Sequence, residues 1–176
     1  MTPADLYRTC RVSACRLETL QHYDVPGDEE RQRAFLAGEP LPLPRQAKLD
    51  DLKLITKLRE SGRLVGRVHV VDRPLSNYVR YELAVYEENV SAGEDVRIAD
   101  RSLHPELEVL TQDFAVFDGE TEDAAVVLFD NDSGGRVGGY RAARDRETVD
   151  RCREQYDLAL RRSVPLGEFM AASLNL

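Results

Sequence analysis

Leu49, Leu52, Ile55 and Leu58 recur every third residue between Gln46 and Ser61, with charged positions between them. That spacing puts one apolar stripe on a helix, which Gly62 ends. Leu64 to Asp72 is rich in β-branched residues and predicts a strand, closed by Arg73-Pro74 because the residue before proline resists the helical region. Leu75, Val79, Leu83, Tyr86 and Val90 then step at helical intervals behind Ser76 as N-cap, until Ala92-Gly93 stops them. Glu94 to Asp100 alternates as a strand should. A strand, a crossover helix and a second strand in so short a span predict a parallel pair.

The flanking patterns are shorter. Residues 4–15 begin as a short helix, Arg16-Leu17-Glu18-Thr19-Leu20 alternates as a half-buried strand, and Asp28 caps a helix running through Phe35 and Leu36 to Gly38. Glu39-Pro40-Leu41-Pro42-Leu43-Pro44 is held extended without ladder donors and reads as a surface strap. After an irregular stretch around His104-Pro105, the runs 113–118 and 124–129 flank Gly119 and an acidic turn as a hairpin. Asn131 to Gly135 is a second turn, and Arg136 to Tyr140 predicts another strand. Ala143 to Arg162 places Val149, Cys152, Tyr156 and Ala159 on one helical face; Ser163-Val164-Pro165 breaks it before a last short helix around Leu166 to Ser173. These elements predict an α/β or α+β fold, a mixed central β-sheet flanked by helices, in one domain over residues 1–176.

Composition narrows the function classes. With 42% hydrophobic and 32% charged residues the chain is globular. It has no apolar run near the ~18 residues of a membrane span, and MTPADLYRTC lacks the basic and apolar regions of a secretory signal, so the expected location is cytoplasmic. A net charge of −8 removes any global attraction to phosphate, so direct nucleic-acid binding is not expected. The basic residues of the segment 143–162 alternate with acidic ones, as on a solvated helix face. Lysine stands only at Lys48, Lys53 and Lys57, and arginine at every other basic position. Cys10, Cys15 and Cys152 cannot all pair within the chain and are expected as free thiols.

No catalytic set emerges. Asp130-Asn131-Asp132 opens like a calcium loop, but Arg141 stands where a bidentate glutamate is required. Gly134-Gly135 and Gly138-Gly139 match no phosphate-loop spacing. His22, His69 and His104 have no metal-ligand partner three or four residues away, and Cys10, Cys15, Ser76 and Ser133 have no local base. No metal and no cofactor are expected. The most varied chemistry is Arg67, His69, Arg73, Tyr78, Arg80 and Tyr81, with Arg97 on the next strand, because open α/β sheets bind ligands where a strand end feeds a helix start. The plainer reading packs Tyr78 and Tyr81 under neighbouring elements and pairs the arginines with Glu82, Asp72 or Asp95.

Several phrases carry a resemblance. Arg16-Leu17-Glu18-Thr19-Leu20 leading into Tyr23-Asp24-Val25-Pro26, Phe35-Leu36-Ala37-Gly38, Pro74 to Leu83, Ala92 to Ile98 and Asp113-Phe114 with Phe117-Asp118 resemble an actinobacterial domain family of unknown function, often encoded beside helix-turn-helix regulators in Streptomyces and relatives. The resemblance spans about residues 15–168. The stretch Thr111 to Gly119 is also similar in layout to the phospholipase D motif HxKxxxxD. There Thr111 replaces the nucleophilic His, Asp113 replaces the phosphate-binding Lys, and only Asp118 and Gly119 match. The downstream Gly-Ser-x-Asn is missing, and a carboxylate at the phosphate position would repel the substrate. The likeness implies a phospholipase-D-like half without its chemistry, and by analogy a homodimer. The expected function is a non-catalytic regulatory or interaction module, acting with a helix-turn-helix regulator by binding that protein or a small ligand. The second reading is an enzyme or nucleotide- or anion-binding protein using the Arg/His/Tyr cluster. Convergence of that cluster in one pocket would favour it; scattered, paired arginines would count against it.

Overall fold

The computed structural model describes residues 1–173. Its strands are β1 (Ser13–Glu18), β2 (Leu64–Val71), β3 (Asp95–Asp100), β4 (Phe114–Phe117), β5 (Ala125–Asn131), β6 (Val137–Ala143) and β7 (Ser163–Pro165). They form one mixed sheet in the order β6-β5-β4-β1-β2-β3-β7. The helices are α1 (Pro3–Thr9), α2 (Glu29–Leu36), α3 (Gln46–Glu60), α4 (Asn77–Ser91), α5 (Arg146–Arg161) and α6 (Leu166–Ser173), with a short 3-10 turn at Pro105–Val109. The expected mixed sheet flanked by helices is what forms, in the α+β class. No helix among the described residues is long and apolar enough to cross a membrane.

Strand period two sorts the side chains to the two faces. Leu17, Val68, Val70, Ala99, Phe114, Val116, Val126 and Leu128 form one core with Val149, Cys152 and Ala159 of α5. On the other face Ala14, Val65, Ala115, Phe117 and Val127 pack with Leu6 of α1 and Ile55 and Leu58 of α3. Farther along that face Val96 and Ile98 pack with Val79, Leu83 and Tyr86 of α4 and Phe169 of α6. The predicted parallel unit is present: β2 and β3 run parallel from Gly66↔Asp95 to Val71↔Asp100, and Ser76 Oγ accepts from Val79 N at 3.0 Å as the cap of α4.

Three expectations are corrected by tertiary contacts. The first strand begins at Ser13 rather than Arg16, because Leu64 of β2 and Phe117 of β4 offer partners to Ser13 and Ala14. Thr19 has left the ladder, and its N–H donates to the Asp113 carboxylate at 2.8 Å. Asp28 precedes α2 without capping it, because its carboxylate accepts instead from Tyr81 OH at 2.6 Å. Ser163-Val164-Pro165, expected as a breaker, is strand β7, antiparallel to β3. Its proline sits at the sheet's edge, where a missing donor is tolerated.

Asp118 holds the N-terminal segment onto the sheet. Its backbone has φ 51, and its buried carboxylate accepts from the N–H groups of Arg11, Val12 and Ser13 at 2.7 to 3.0 Å. Arg11 and Val12 precede β1 and Ser13 is its first residue, so the carboxylate supplies the acceptor for these donors where the ladder begins. Replacing Asp118 with Ala should destabilise the protein by about 3 kcal/mol, read from urea unfolding. Asp118→Asn, which keeps an acceptor oxygen and tolerates positive φ, should recover part of that loss.

Candidate functional site

Interior strands buried on both faces normally read as continuous apolar runs. β1 and β2 break that rule at Arg16, Glu18, Arg67 and His69, which face the same side and lie in register, Arg16 beside Arg67 and Glu18 beside His69. The result is a polar stripe between the α1/α3 core and the α4/α6 core, roofed by α3, α4 and the segment entering α2.

Its charges are interlocked. Arg67 Nη1 donates to Glu18 Oε1 at 2.7 Å and Arg67 Nε to Glu94 Oε1 at 3.1 Å, while the guanidinium lies 5.1 Å from the Tyr86 ring centre. Tyr86 OH donates to Glu18 Oε2. Asn89 bridges the far end, its amide N–H donating to Glu94 and its oxygen accepting from Lys48. Burial alone would raise the Glu18 carboxyl, but Arg67 and Arg16 outweigh it and hold Glu18 far below the ordinary range. Burial, reinforced by Arg67, lowers Lys48, and burial raises Asp51 at the rim.

His69 lies beneath this layer, wholly buried. Nε2 is 2.7 Å from the Leu20 carbonyl oxygen, which can only accept, so Nε2 carries a proton. Nδ1 sits 3.0 Å from Tyr86 OH, whose hydrogen is committed to Glu18, and 3.4 Å from Glu82 Oε2, which has no hydrogen-bond partner. Glu82 Oε2 and Nδ1 thus face each other across 3.4 Å beneath the charged layer. Burial pushes the Glu82 carboxyl up to about 7, against the pull of His69. Glu18, His69 and Glu82 also place three donor atoms within 4.8 Å of one another, a grouping that chain spacing did not show. The chemistry of the set fits a divalent cation poorly: Glu18 is already bound by two guanidiniums and a phenol.

Two cavities open onto the stripe. One of about 200 Å³ is lined by Tyr23, Tyr78, Tyr81, Tyr86, Glu82 and Glu18; the other, of about 480 Å³, by Tyr7, Leu54, Ile55, Asn89, Glu94 and Phe129. Arg16, Lys48, Asp51 and Arg67 line both and form their common wall. Arg16 stacks 4.9 Å from the Phe129 ring centre, and its buried Nε, 3.0 Å from Glu18 Oε1, makes no hydrogen bond. Among the described residues Lys48 bonds only the neutral amide of Asn89.

Of the residues singled out from the sequence, Arg67, Tyr78 and Tyr81 line the smaller cavity and His69 lies in the network below it. Arg73, Arg80 and Arg97 do not join them. Arg73 pairs with Asp100 at 2.8 Å and stacks on Phe169; Arg80 is exposed on α4; Arg97 pairs in register with Val68, faces the α5 side and donates to Ser163. Arg16, Glu18, Lys48, Glu82 and Tyr86 were missed. Their one legible sign was charge at alternate positions, 16 and 18 and again 67 and 69, in strands otherwise apolar.

Asp113 and Asp118, which stand in the phospholipase-D-like motif positions, serve elsewhere. Asp113 is buried where β4 begins beside the carboxyl end of β1, and its carboxylate accepts from Thr19 N, Thr19 Oγ1, Tyr23 OH and Asn131 Nδ2. Asp118 is the backbone clamp described above. Cys10, Cys15 and Cys152 are free thiols, all buried, and burial pushes Cys15 and Cys152 up to about 11.

Residues 2–171 match the model of a family described as a domain of unknown function, DUF6879. No curated protein matches the chain.

The raised Glu82 carboxyl has a sign that can be measured. Between about 4.5 and 7 the folded state holds a proton on Glu82 that the unfolded chain has released, so this group's contribution to stability falls as pH rises through that window. Glu82→Gln removes the titration. Its stability relative to the parent should climb between those pH values and level off above them, as read from urea unfolding at stepped pH. A flat difference would show that Glu82 titrates normally.

Proposed function

The chain belongs to the DUF6879 family, and, since that family's description assigns no activity, we propose from the site that it is a non-catalytic regulatory module that binds a small anionic molecule between α1, α3 and α4. The observation that carries this reading is Arg16: a guanidinium stacked on Phe129 and lining both cavities, its Nε ion-paired with Glu18 at 3.0 Å and its terminal nitrogens in no hydrogen bond among the described residues. Buried polar groups normally find partners, and the two terminal nitrogens of Arg16, beside a lysine that among the described residues is held by an amide alone, suit a carboxylate or phosphate. The tyrosines of the smaller cavity offer rings and hydroxyls to a planar group on the same molecule.

The non-catalytic part rests on how the acidic and nucleophilic groups are used. Glu18 is consumed by Arg67 and Tyr86, Asp113 by four donors, Asp118 by three backbone amides, and the thiols are buried. A phospholipase-D-like half with Thr111 and Asp113 in place of the His and Lys is consistent with this, as is the strand-helix-strand unit followed by the β4–β5 hairpin. In such a module the bound anion would bias the contact with a helix-turn-helix regulator.

A thermal-shift panel of carboxylates, sugar phosphates and nucleoside monophosphates, followed by calorimetry, tests the reading. A member should stabilise the parent and be recovered unchanged. Arg16→Met, which keeps a stem against Phe129 without the donors, should weaken that affinity by about tenfold or more with the fold intact by circular dichroism. Equal binding by Arg16→Met, or no binding member, would overturn the assignment to this cleft.

A further inference from the structure

The two edges of the sheet differ. β7 is three residues long, ends in Pro165 and is packed by α6, as protected edges are. β6 is seven residues long and among the described residues pairs only with β5. It contains neither proline nor lysine and is exposed or half-exposed at every position, including Val137 and Tyr140. The register shift at Asp130/Asn131 places a bulge at Gly138, and from Gly139 to Ala143 the outer edge offers a regular row of backbone donors and acceptors.

We propose that β6 is a homodimerisation edge, pairing antiparallel with β6 of a second copy about a two-fold axis at Tyr140 and joining the two sheets into one. Self-pairing about that residue sets Gly139 opposite Arg141, on the regular side of the bulge, and it brings the two Tyr140 rings together as a cross-strand pair. The charges on the α5-side face fit the same register. Asp130 of β5 pairs with Gly139, and its Oδ2 lies only 3.8 Å from where a Cβ on that glycine would stand, so the carboxylate overhangs a position without a side chain. Arg141 lies on that same face, two residues farther along. Neither Asp130 nor Arg141 has an ion pair or a side-chain hydrogen bond among the described residues. In the dimer, Arg141 of each copy crosses the gap left by Gly139 to reach Asp130 of the other, twice by symmetry. A second copy is therefore the partner whose charge pattern the edge matches.

Sedimentation of the full chain over a wide concentration range should show a reversible monomer–dimer equilibrium. Hydrogen exchange should show outward-facing amides of residues 139–143 gaining protection with concentration. Arg141→Glu places two carboxylates together and should weaken dimerisation by about tenfold or more. Asp130→Arg should do likewise, and the double swap Asp130→Arg with Arg141→Glu should restore association. Since neither residue is paired within one copy, all three variants should melt with the parent. A parent that stays monomeric, a dimer whose β6 amides gain no protection, or a double swap no better than the single variants would overturn the proposal.

Discussion

The interaction on which the rest depends is the pairing of Arg67 with Glu18 and Glu94 inside the sheet–helix interface. A guanidinium that deep must be matched, since a buried charge left without its partner costs about 3–5 kcal/mol. Matching it recruits residues from three places: Glu18 from β1, Glu94 from the turn entering β3, and Tyr86 and Asn89 from α4. The parallel register of β1 with β2 puts Arg67 beside Arg16, and two adjacent cations demand the carboxylate that Glu18 supplies. Replacing the set with apolar residues of similar volume would be neutral or stabilising in many proteins. Retaining charge here therefore points to the stripe's use rather than to its contribution to folding.

The same constraint shapes the cavities. Helices α3 and α4 cannot close over the stripe as they close over the apolar regions on either side, because polar groups there would lose water without gaining partners. Where partners suffice, the interface is shut: His69 is sealed under Tyr86, and Asp113 fills the place where β1 and β4 diverge, the point at which open sheets commonly admit ligands. Where partners run short, at Arg16 and Lys48, the interface stays open and the two cavities meet. The cavities thus lie over the middle of β1 and β2 rather than at the strand ends.

At the other end of the sheet the logic is reversed. β6 is exposed or half-exposed at every position, and Arg141, its one charged residue, has no ion pair among the described residues. Gly138 and Gly139, which match no phosphate loop, belong to this edge, and Asp130, which opens what looks like a calcium loop, overhangs it. Asp132 of the same stretch serves the turn, accepting from Gly134 N and Arg136 N. In that turn Gly135, at φ 81, brings its chain against the His22 carbonyl, where a Cβ would stand 2.2 Å away.

Local pattern alone determined most of the elements: the three-residue leucine spacing of α3, the Ser76 cap of α4, the β-branched run of β2 and the Asp113–Phe129 hairpin are all properties of neighbours in the chain. It also determined that Arg67, Tyr78 and Tyr81 lie together, since a strand end and the helix that follows it are joined by a few residues. Tertiary structure decided the rest. Arg73, Arg80 and Arg97 are as close in sequence as their neighbours, yet strand alternation and the turn of α4 send them to other surfaces. Arg16 with Glu18, Lys48 and Glu94 come from three distant stretches of the chain and meet because β1, β2 and β3 pair in register and α3 packs over β2. Ser163–Pro165 became a strand for the same reason, since β3 offered a free edge. A pairing register is a property of two segments at once, and neither segment's own pattern specifies which residue of the other it will face.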